Sequence, residues 1–305
     1  MRAWRSLRAL TYYGISMKSY KERLFQAITY TASLFTLVVL LGIIYSLFNE
    51  GLPFFKVVPI REFLFSGAWY PTHEIPVFGA KTLIAGSLFV TIGALLIGVP
   101  LGLGSAIYIS EIAGTRLKET AKPVIELLAG IPSVVYGLFG MAFLAPMVRQ
   151  WFHLDTGLNV FSASIILGVM IIPIIASMSE DALSNVPKSV REASLALGAT
   201  KIESIFRAVI PAAKSGIIGS VLLGFGRAVG ETMVVLMVAG GSAQIPKSIF
   251  ASTRPMTSTI AAEMGETVIG DLHYQSLFAL AILLFALTFV TNLITELVFL
   301  KRSSR

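Results

Sequence analysis

The stretch SGIIGSVLLGFGRAVGETMVVLMVAG, residues 215–240, decides the class of this protein. It is predominantly apolar and carries no charge except at Arg227 and Glu231, and it exceeds the roughly 20 residues that a helix needs to cross a bilayer. An ionisable side chain at the centre of a membrane helix costs about 2.5–3.5 kcal/mol on insertion scales. Two such residues one helical turn apart therefore indicate a polar path through the membrane.

The composition extends this conclusion from one stretch to the whole chain. Hydrophobic residues make up 55% of it, charged residues 13%, and the mean hydropathy is +0.79, outside the range of soluble globular domains. Apolar runs such as 165–175 show no alternation of polar and apolar positions, which excludes the strands of a membrane barrel. The sequence therefore predicts an all-α integral membrane protein with six transmembrane helices. The predicted spans are residues 26–48, 82–109, 123–148, 161–179, 215–240 and 276–300.

Lys and Arg residues set the predicted orientation, because basic loops resist translocation. With the N-terminus inside, most of the 24 Lys and Arg residues fall in cytoplasmic segments, so both termini are predicted to be cytoplasmic. The net charge of +7 then tracks the inner leaflet of the bilayer and indicates no nucleic-acid partner. The predicted organisation is a cytoplasmic N-terminal segment (1–25), a first helix (26–48), an external loop (49–81), a five-helix core (82–300) and a cytoplasmic tail (301–305).

Residues 187–211 predict two short helices that project into the cytoplasm, and we call this segment the knuckle. The first helix is expected to stop at Gly198. The second starts with Thr200 and Glu203 in the spacing of a capping box, and Pro211 is expected to end it. An apolar surface on the knuckle would suit docking into a groove of a partner protein. The residues predicted to form it are Leu195, Ala196, Ile202, Ile205 and Phe206.

Glu192, Ala193, Gly198 and Pro211 of the knuckle carry a family resemblance. Their pattern is similar to the coupling-helix motif of ABC importer permeases, which reads Glu-Ala-Ala, three residues, Gly, nine residues, Ile-x-Leu-Pro. Both spacings match. The resemblance implies that these four residues couple the chain to an ATPase. The departures from the motif are Ser194, Ala208 and Ile210, which keep size or polarity close.

Further segments narrow the resemblance within that superfamily. Residues 128–137 and 226–233 resemble the permeases of phosphate-specific ABC transporters. Residues 254–257 and 263–274 resemble the C-type rather than the A-type subunit of that system. The resemblance implies a type I ABC importer permease fold in the cell inner membrane, and it implies that the substrate is inorganic phosphate.

The resemblance also implies partners. These are a paralogous A-type permease that forms a heterodimer with this chain, a cytoplasmic ATPase dimer and an external phosphate-binding protein. No Gly of the chain is directly followed by Lys, so the phosphate-binding loop of ATPases is absent from the sequence. We therefore expect a non-catalytic subunit without a cofactor of its own, and ATP and Mg²⁺ on the partner ATPase. With no cysteine and three scattered histidines, the sequence predicts no metal site.

Arg227 and Glu231 are the predicted residues of the substrate path. A guanidinium presents a planar fork of donors that matches a tetrahedral oxyanion, and it stays protonated. Glu231 can neutralise Arg227 when no substrate is present, and it can accept a hydrogen bond from a protonated phosphate oxygen when substrate arrives. The alternative is an internal salt bridge that fastens this helix to its neighbours.

Pro132 and Ser133 interrupt the predicted span 123–148. A kink or an unwound turn frees backbone groups that need a polar surrounding, so this position is a candidate gate beside the translocation path. An ordinary packing kink is the alternative.

Two other functions remain open on the sequence. A permease for sulfate, molybdate or tungstate would also need a central Arg, although a fully deprotonated dianion offers Glu231 no proton. An ion-coupled secondary transporter could place Arg and Glu midway across a bundle, but it would not need the knuckle, and the sequence shows no inverted repeat.

Overall fold

A computed structural model describes residues 20–303, with the side chains at the two ends of that range left undescribed. Most of the predicted N-terminal segment (1–25) and part of the predicted tail (301–305) lie outside the described residues. The helices are α1 (Tyr20–Gly51), α2 (Ile60–Phe65), α3 (Lys81–Ile107), α4 (Thr115–Ala129), α5 (Ser133–Phe139), α6 (Ala145–Trp151), α7 (Val160–Ser184), α8 (Lys188–Ala196), α9 (Lys201–Ser204), α10 (Ile210–Val229), α11 (Met233–Val238), α12 (Met256–Glu263) and α13 (Leu272–Ser303).

Several of these helices continue through π-helical turns, which widen the helix by one residue without ending it. The turns are Tyr108–Ile112 after α3, Gly140–Leu144 between α5 and α6, and Ile205–Val209 between α9 and α10. Within residues 20–303, five helices are long and apolar enough to cross a membrane, and a bent pair of helices can supply a sixth span. The all-α class is therefore confirmed. The cytoplasmic placement of the termini stays a prediction.

The chain divides into two compact units, residues 1–49 and residues 50–305. In the first unit, α1 carries exposed apolar side chains along its length, as expected of a helix surrounded by lipid. The second unit contains the remaining helices and the buried core.

Small residues bring α3 and α7 close together in the second unit. A Cβ atom added at Gly98 of α3 would lie 2.5 Å from a side-chain carbon of Ile171, and one added at Gly168 of α7 would lie 3.1 Å from the carbonyl oxygen of Ala94. Further along α7, Ser179 and Ser220 of α10 share a buried hydrogen bond of 2.5 Å. Close backbones and buried polar contacts are how helices associate where lipid removes the hydrophobic drive.

Two of the predicted spans are interrupted, and the sequence predicted the interruption at Pro132 but not the one after Val229. The span 123–148 is a pair of helical segments, Thr115–Ala129 and Ser133–Trp151, that meet at 85° around Pro132. The pyrrolidine ring removes a backbone donor, and Pro132 adopts an extended conformation there (φ −59°, ψ 137°). The span 215–240 ends as a helix at Val229 and resumes only at Met233.

The segment before α3, which the sequence predicts to be external, forms a cap over the core. Its two-residue strands, β1 (Trp69–Tyr70) and β2 (Val77–Phe78), pair antiparallel with Trp69 opposite Phe78. Trp69 is 2% exposed and packs in an aromatic and aliphatic cluster with Phe54 and Leu280. The ring of Trp69 therefore fills the core of the cap.

Glu263 at the end of α12 ties the external segments together. Its carboxylate accepts a hydrogen bond from Trp69 Nε1 at 3.0 Å and one from Arg254 Nη1 at 2.7 Å. The Nε2 atom of His273 on α13 lies 2.9 Å from Glu263 Oε2. One distant residue, Trp69, and two nearby ones, Arg254 and His273, therefore converge on one acid, and Arg254 is an ion-pair partner of Glu263.

We expect Glu263→Gln to lower the free energy of unfolding by about 2 kcal/mol, because hydrogen bonds to a charged acceptor contribute about 1.5–3 kcal/mol. The measurement is thermal unfolding in detergent. Glu74→Gln, at an exposed position of the same external region, is the matched control and should melt with the wild type. Equal melting temperatures for both variants would contradict the role assigned to Glu263.

Candidate functional site

Glu231 lies in the break between α10 and α11, where its side chain is 3% exposed. Its Oε1 atom accepts hydrogen bonds from the backbone N–H groups of Met233 and Val234 at 3.1 and 3.3 Å. Its carbonyl oxygen accepts a third bond, from Thr257 Oγ1 of α12, at 2.7 Å. The carboxylate thus satisfies the first free donors of α11, which explains why a new helix starts here. Sequence reasoning missed this capping role because the apolar pattern continues unbroken across residues 215–240.

Arg227 lies in the last turn of α10, with its side chain 48% exposed. Its Nη2 atom is 3.6 Å from Glu231 Oε2, which is an ion pair without a close hydrogen bond. Among residues 20–303, the ion-pair partner of Arg227 is Glu231. The guanidinium lines a groove of about 440 Å³ beside α13, together with Leu223, Phe225, Thr288 and Asn292. Donors of Arg227 can therefore meet a solute that enters this groove.

This geometry can be compared with the alternative that Arg227 and Glu231 form only a structural salt bridge. The ion pair spans the break between α10 and α11, so it joins two consecutive helices of one predicted span rather than two separate spans. A loose pair with one exposed partner also contributes little to stability, about 0–1 kcal/mol. The arrangement suits a reversible anion site better than a fastening. The role of both residues in transport stays a prediction.

A small polar cavity lies next to Glu231. Ser87 and Thr91 of α3 line it, together with Pro255 and Thr257. Ser87 and Thr91 are buried, and Ser87 Oγ accepts the N–H of Met256 at 2.9 Å. These hydroxyl groups were missed from the sequence, although two polar residues at a spacing of four in a predicted span would have signalled a polar face.

The bend at Pro132 leads into the helix that packs beside Glu231. Ser133 begins α5, and a Cβ atom added at Gly137 would lie 2.7 Å from Met237 Sδ and 3.4 Å from the carbonyl oxygen of Met233, both on α11. The two broken spans therefore meet where α5 contacts α11. A gating role for Pro132 and Ser133 stays a prediction.

The knuckle has the predicted pair of short helices. Gly198 ends α8 in the left-handed conformation (φ +86°), which a glycine adopts without strain. The capping box is present: the Thr200 N–H donates to Glu203 Oε2 at 2.9 Å and the Glu203 N–H donates to Thr200 Oγ1 at 3.3 Å. Pro211 does not end the second helix, contrary to expectation. It lies inside the continuous helix Lys201–Val229, two residues after the π-helical turn Ile205–Val209.

The outer surface of the knuckle combines charged side chains of both signs with apolar ones. Glu192 and Ala193 are exposed, as docking to a partner would need. Ile205 is 3% exposed and packs inward, so its predicted place on this surface is wrong. Leu197, at 90% exposure, is an apolar contact residue that the sequence analysis did not name. The exposed apolar residues are Leu195, Ala196, Leu197, Ile202 and Phe206.

Comparison with known proteins agrees with this architecture. Residues 98–303 match the family described as binding-protein-dependent transport system inner membrane component. The chain is 42% identical to the "Probable ABC transporter permease protein YqgH" of Bacillus subtilis, over 77% of this chain and 75% of the relative. It is 36% identical to the "Phosphate transport system permease protein PstC" of Mesorhizobium japonicum, over 93% and 91% of the two chains.

Solved structures share the fold. A chain of a bacterial alginate ABC transporter, in complex with its alginate-bound periplasmic protein, matches with a TM-score of 0.63 at 15% identity, over 90% of this chain and 93% of that one. A chain of the MetNI methionine ABC transporter matches with a TM-score of 0.53 at 21% identity, over 72% and 93%. The chain belongs to the family of binding-protein-dependent transport system inner membrane components, and it is a permease subunit of an ABC importer.

Proposed function

We propose that this chain is a permease subunit of an ATP-driven importer of inorganic phosphate and forms half of the translocation path. The observation that carries the proposal is the half-exposed Arg227, which lies 3.6 Å from a buried Glu231 at a break in a membrane span. Relatives named as phosphate transport system permeases, with 33–36% identity over about 92% of the chain, support phosphate as the substrate.

Arg227 is the proposed anion ligand. A guanidinium can donate two parallel hydrogen bonds to a phosphate group, and its charge does not titrate in the physiological range. A cation left without a counter-charge in a region of low dielectric would hold the anion too strongly to release it. The carboxylate of Glu231, 3.6 Å from the guanidinium of Arg227, weakens the attraction of that cation for the anion.

Glu231 can also recognise the protonation state of the substrate. Its Oε1 atom is occupied by the cap of α11, whereas Oε2 faces Arg227. Oε2 can therefore accept a hydrogen bond from a protonated phosphate oxygen that is bound to Arg227. A fully deprotonated dianion would bring only repulsion to this carboxylate, and this difference favours phosphate over sulfate or molybdate.

The family implies a cytoplasmic ATPase and an external binding protein as partners. We propose in addition that a paralogous A-type permease completes a heterodimer, that ATP and Mg²⁺ bind to an ATPase dimer, and that the binding protein delivers phosphate. The exposed acidic and apolar surface of the knuckle, around Glu192 and Ala193, is the proposed docking site for the ATPase.

Uptake of radiolabelled phosphate tests this proposal. The chain is reconstituted in vesicles with an A-type permease, the ATPase and the binding protein. We expect ATP-dependent uptake that excess unlabelled phosphate abolishes and that sulfate and molybdate leave unchanged. If sulfate or molybdate displaced radiolabelled phosphate, the chain would still be an importer permease, but phosphate would not be its specific substrate. Uptake without ATP, driven by an ion gradient, would identify a secondary transporter instead.

A further inference from the structure

Arg191 of α8 is anchored to the cytoplasmic ends of two membrane helices. Its Nη2 atom donates to Glu111 Oε1 at 2.6 Å and its Nε atom donates to Glu111 Oε2 at 3.1 Å. The same guanidinium donates to the carbonyl oxygens of Leu183 and Val186 at 2.9 and 2.5 Å. Glu111 lies in the π-helical turn after α3, with its side chain 7% exposed. Helix α8 is thus bound to the ends of both α3 and α7.

A second ionic cluster joins α7 to α4. Glu180 of α7 is 3% exposed, and its carboxylate lies 2.9 Å from Lys118 Nζ and 3.0 Å from Lys122 Nζ. Both lysines belong to α4 and are one helical turn apart. Ser184 Oγ donates to Glu180 at 2.5 Å and accepts from Lys118 at 2.7 Å. Lys122 also contacts Asp181. The buried acid is therefore enclosed by two cations and a hydroxyl group.

Ser110 connects the two clusters. Its Oγ atom donates to Glu111 Oε1 at 3.2 Å and lies 3.4 Å from Ser184 Oγ. A continuous chain of polar contacts therefore runs from α8 to α4 through the ends of α3 and α7. We call it the cytoplasmic linkage. Its members are Arg191, Glu111, Ser110, Ser184, Glu180, Lys118 and Lys122.

We propose that the cytoplasmic linkage makes α8 and α4 move as one body, so that displacement of the knuckle by the ATPase reaches the bend at Pro132 directly. The proposal rests on the proposed transport function and adds a route for coupling within the chain. Glu111 and Glu180 are its positioning residues, because each holds cations from another element without touching the substrate. The 85° bend that follows α4 would carry the motion to α5, which contacts α11 next to Glu231.

Two features make this linkage stiff. The carboxylates of Glu111 and Glu180 are almost fully buried, so separation from their cations would leave uncompensated charges away from water. In addition, no residue of α4, all of which is described, is buried. The ion pairs of Lys118 and Lys122 with Glu180 therefore provide the buried polar connection between α4 and α7.

Distances between spin labels test the rigid connection. The chain has no cysteine, so labels attach only at introduced positions. Glu119→Cys on α4 and Lys188→Cys on α8 are both exposed. In the complete complex, we expect the label distance to stay the same with and without ATP, to within about 2 Å. A change of about 5 Å, one helical turn, would overturn the proposal.

Coupling measurements test the consequence. In the complete complex, Glu111→Gln should lower the phosphate imported per ATP hydrolysed by about tenfold, within the usual range of coupling between sites. Glu119→Gln, on the exposed face of α4, is the matched control and should leave the ratio unchanged. If Glu111→Gln does not assemble, Arg191→Lys replaces it, because Lys keeps the charge but loses the fork.

The outcomes separate this proposal from the proposed function. An unchanged ratio in the assembled Glu111→Gln complex, or in its Arg191→Lys replacement, would overturn the cytoplasmic linkage while phosphate import stands. Absence of phosphate import by the wild-type complex would instead contradict the proposed function, and the label distances would still decide whether α4 and α8 move together.

Discussion

Arg227→Gln should reduce phosphate uptake by about 100-fold, while assembly with the ATPase and the partner permease persists. Loss of charge-assisted hydrogen bonds to the anion removes about 3 kcal/mol, and each 1.4 kcal/mol is worth a factor of ten. Assembly should persist because the Arg227 side chain is half exposed and forms only a loose ion pair with Glu231. Uptake in vesicles gives the first quantity, and co-purification of the subunits gives the second.

Two further variants separate charge from structure at this site. Arg227→Lys keeps the positive charge without the planar fork, so we expect uptake between those of the wild type and Arg227→Gln. Glu231→Gln keeps an oxygen that can cap Met233 and Val234, so α11 should persist while the counter-charge is lost. Uptake should then fall because release is slow. Loss of assembly in both Arg227→Gln and Glu231→Gln would favour the salt-bridge alternative.

The sequence predicted the spans well and their interruptions poorly, for a physical reason. Hydrophobicity indicates which residues face lipid or the core. It does not reveal an interruption of the helix when the residues on both sides of the interruption are apolar. Pro132 announced one interruption because the ring removes a donor. The break after Val229 contains no proline, and the carboxylate of Glu231 accepts the first N–H groups of α11 at a position that the sequence analysis placed inside one continuous span.

The residues of the candidate site also fall into two groups, those that the sequence revealed and those that only the fold revealed. Arg227, Glu231 and the knuckle could be found from local spacing, because charge in an apolar run and a capping box are both local signals. The cytoplasmic linkage could not, since Glu111 and Arg191 are 80 residues apart in sequence. Glu180 falls one residue beyond the predicted span 161–179. Nothing in its local sequence indicates that the fold buries it beside two lysines of α4.

Gly198→Val should uncouple the importer, with uptake at least about tenfold lower while the ATPase continues to hydrolyse ATP. Gly198 has φ +86°, and a β-branched residue in that region is strained by about 1–3 kcal/mol. The strain falls on the turn that closes α8, where the N–H groups of Gly198 and Ala199 donate to the carbonyl oxygens of Leu195 and Ser194. A shifted turn would change the angle between α8 and α9, and with it the surface that the ATPase contacts.

Gly270→Val is the control that isolates this effect. Gly270 also has φ +86°, and a Cβ atom at either glycine would meet nothing within 4 Å, so the two substitutions impose the same backbone strain in equally open space. Gly270 lies just before α13, far along the chain from the knuckle. If strain alone disabled the protein, both variants would lose uptake equally. If the knuckle couples the ATPase to the membrane helices, only Gly198→Val separates ATP hydrolysis from transport, and unchanged uptake in that variant would refute the coupling role of the knuckle.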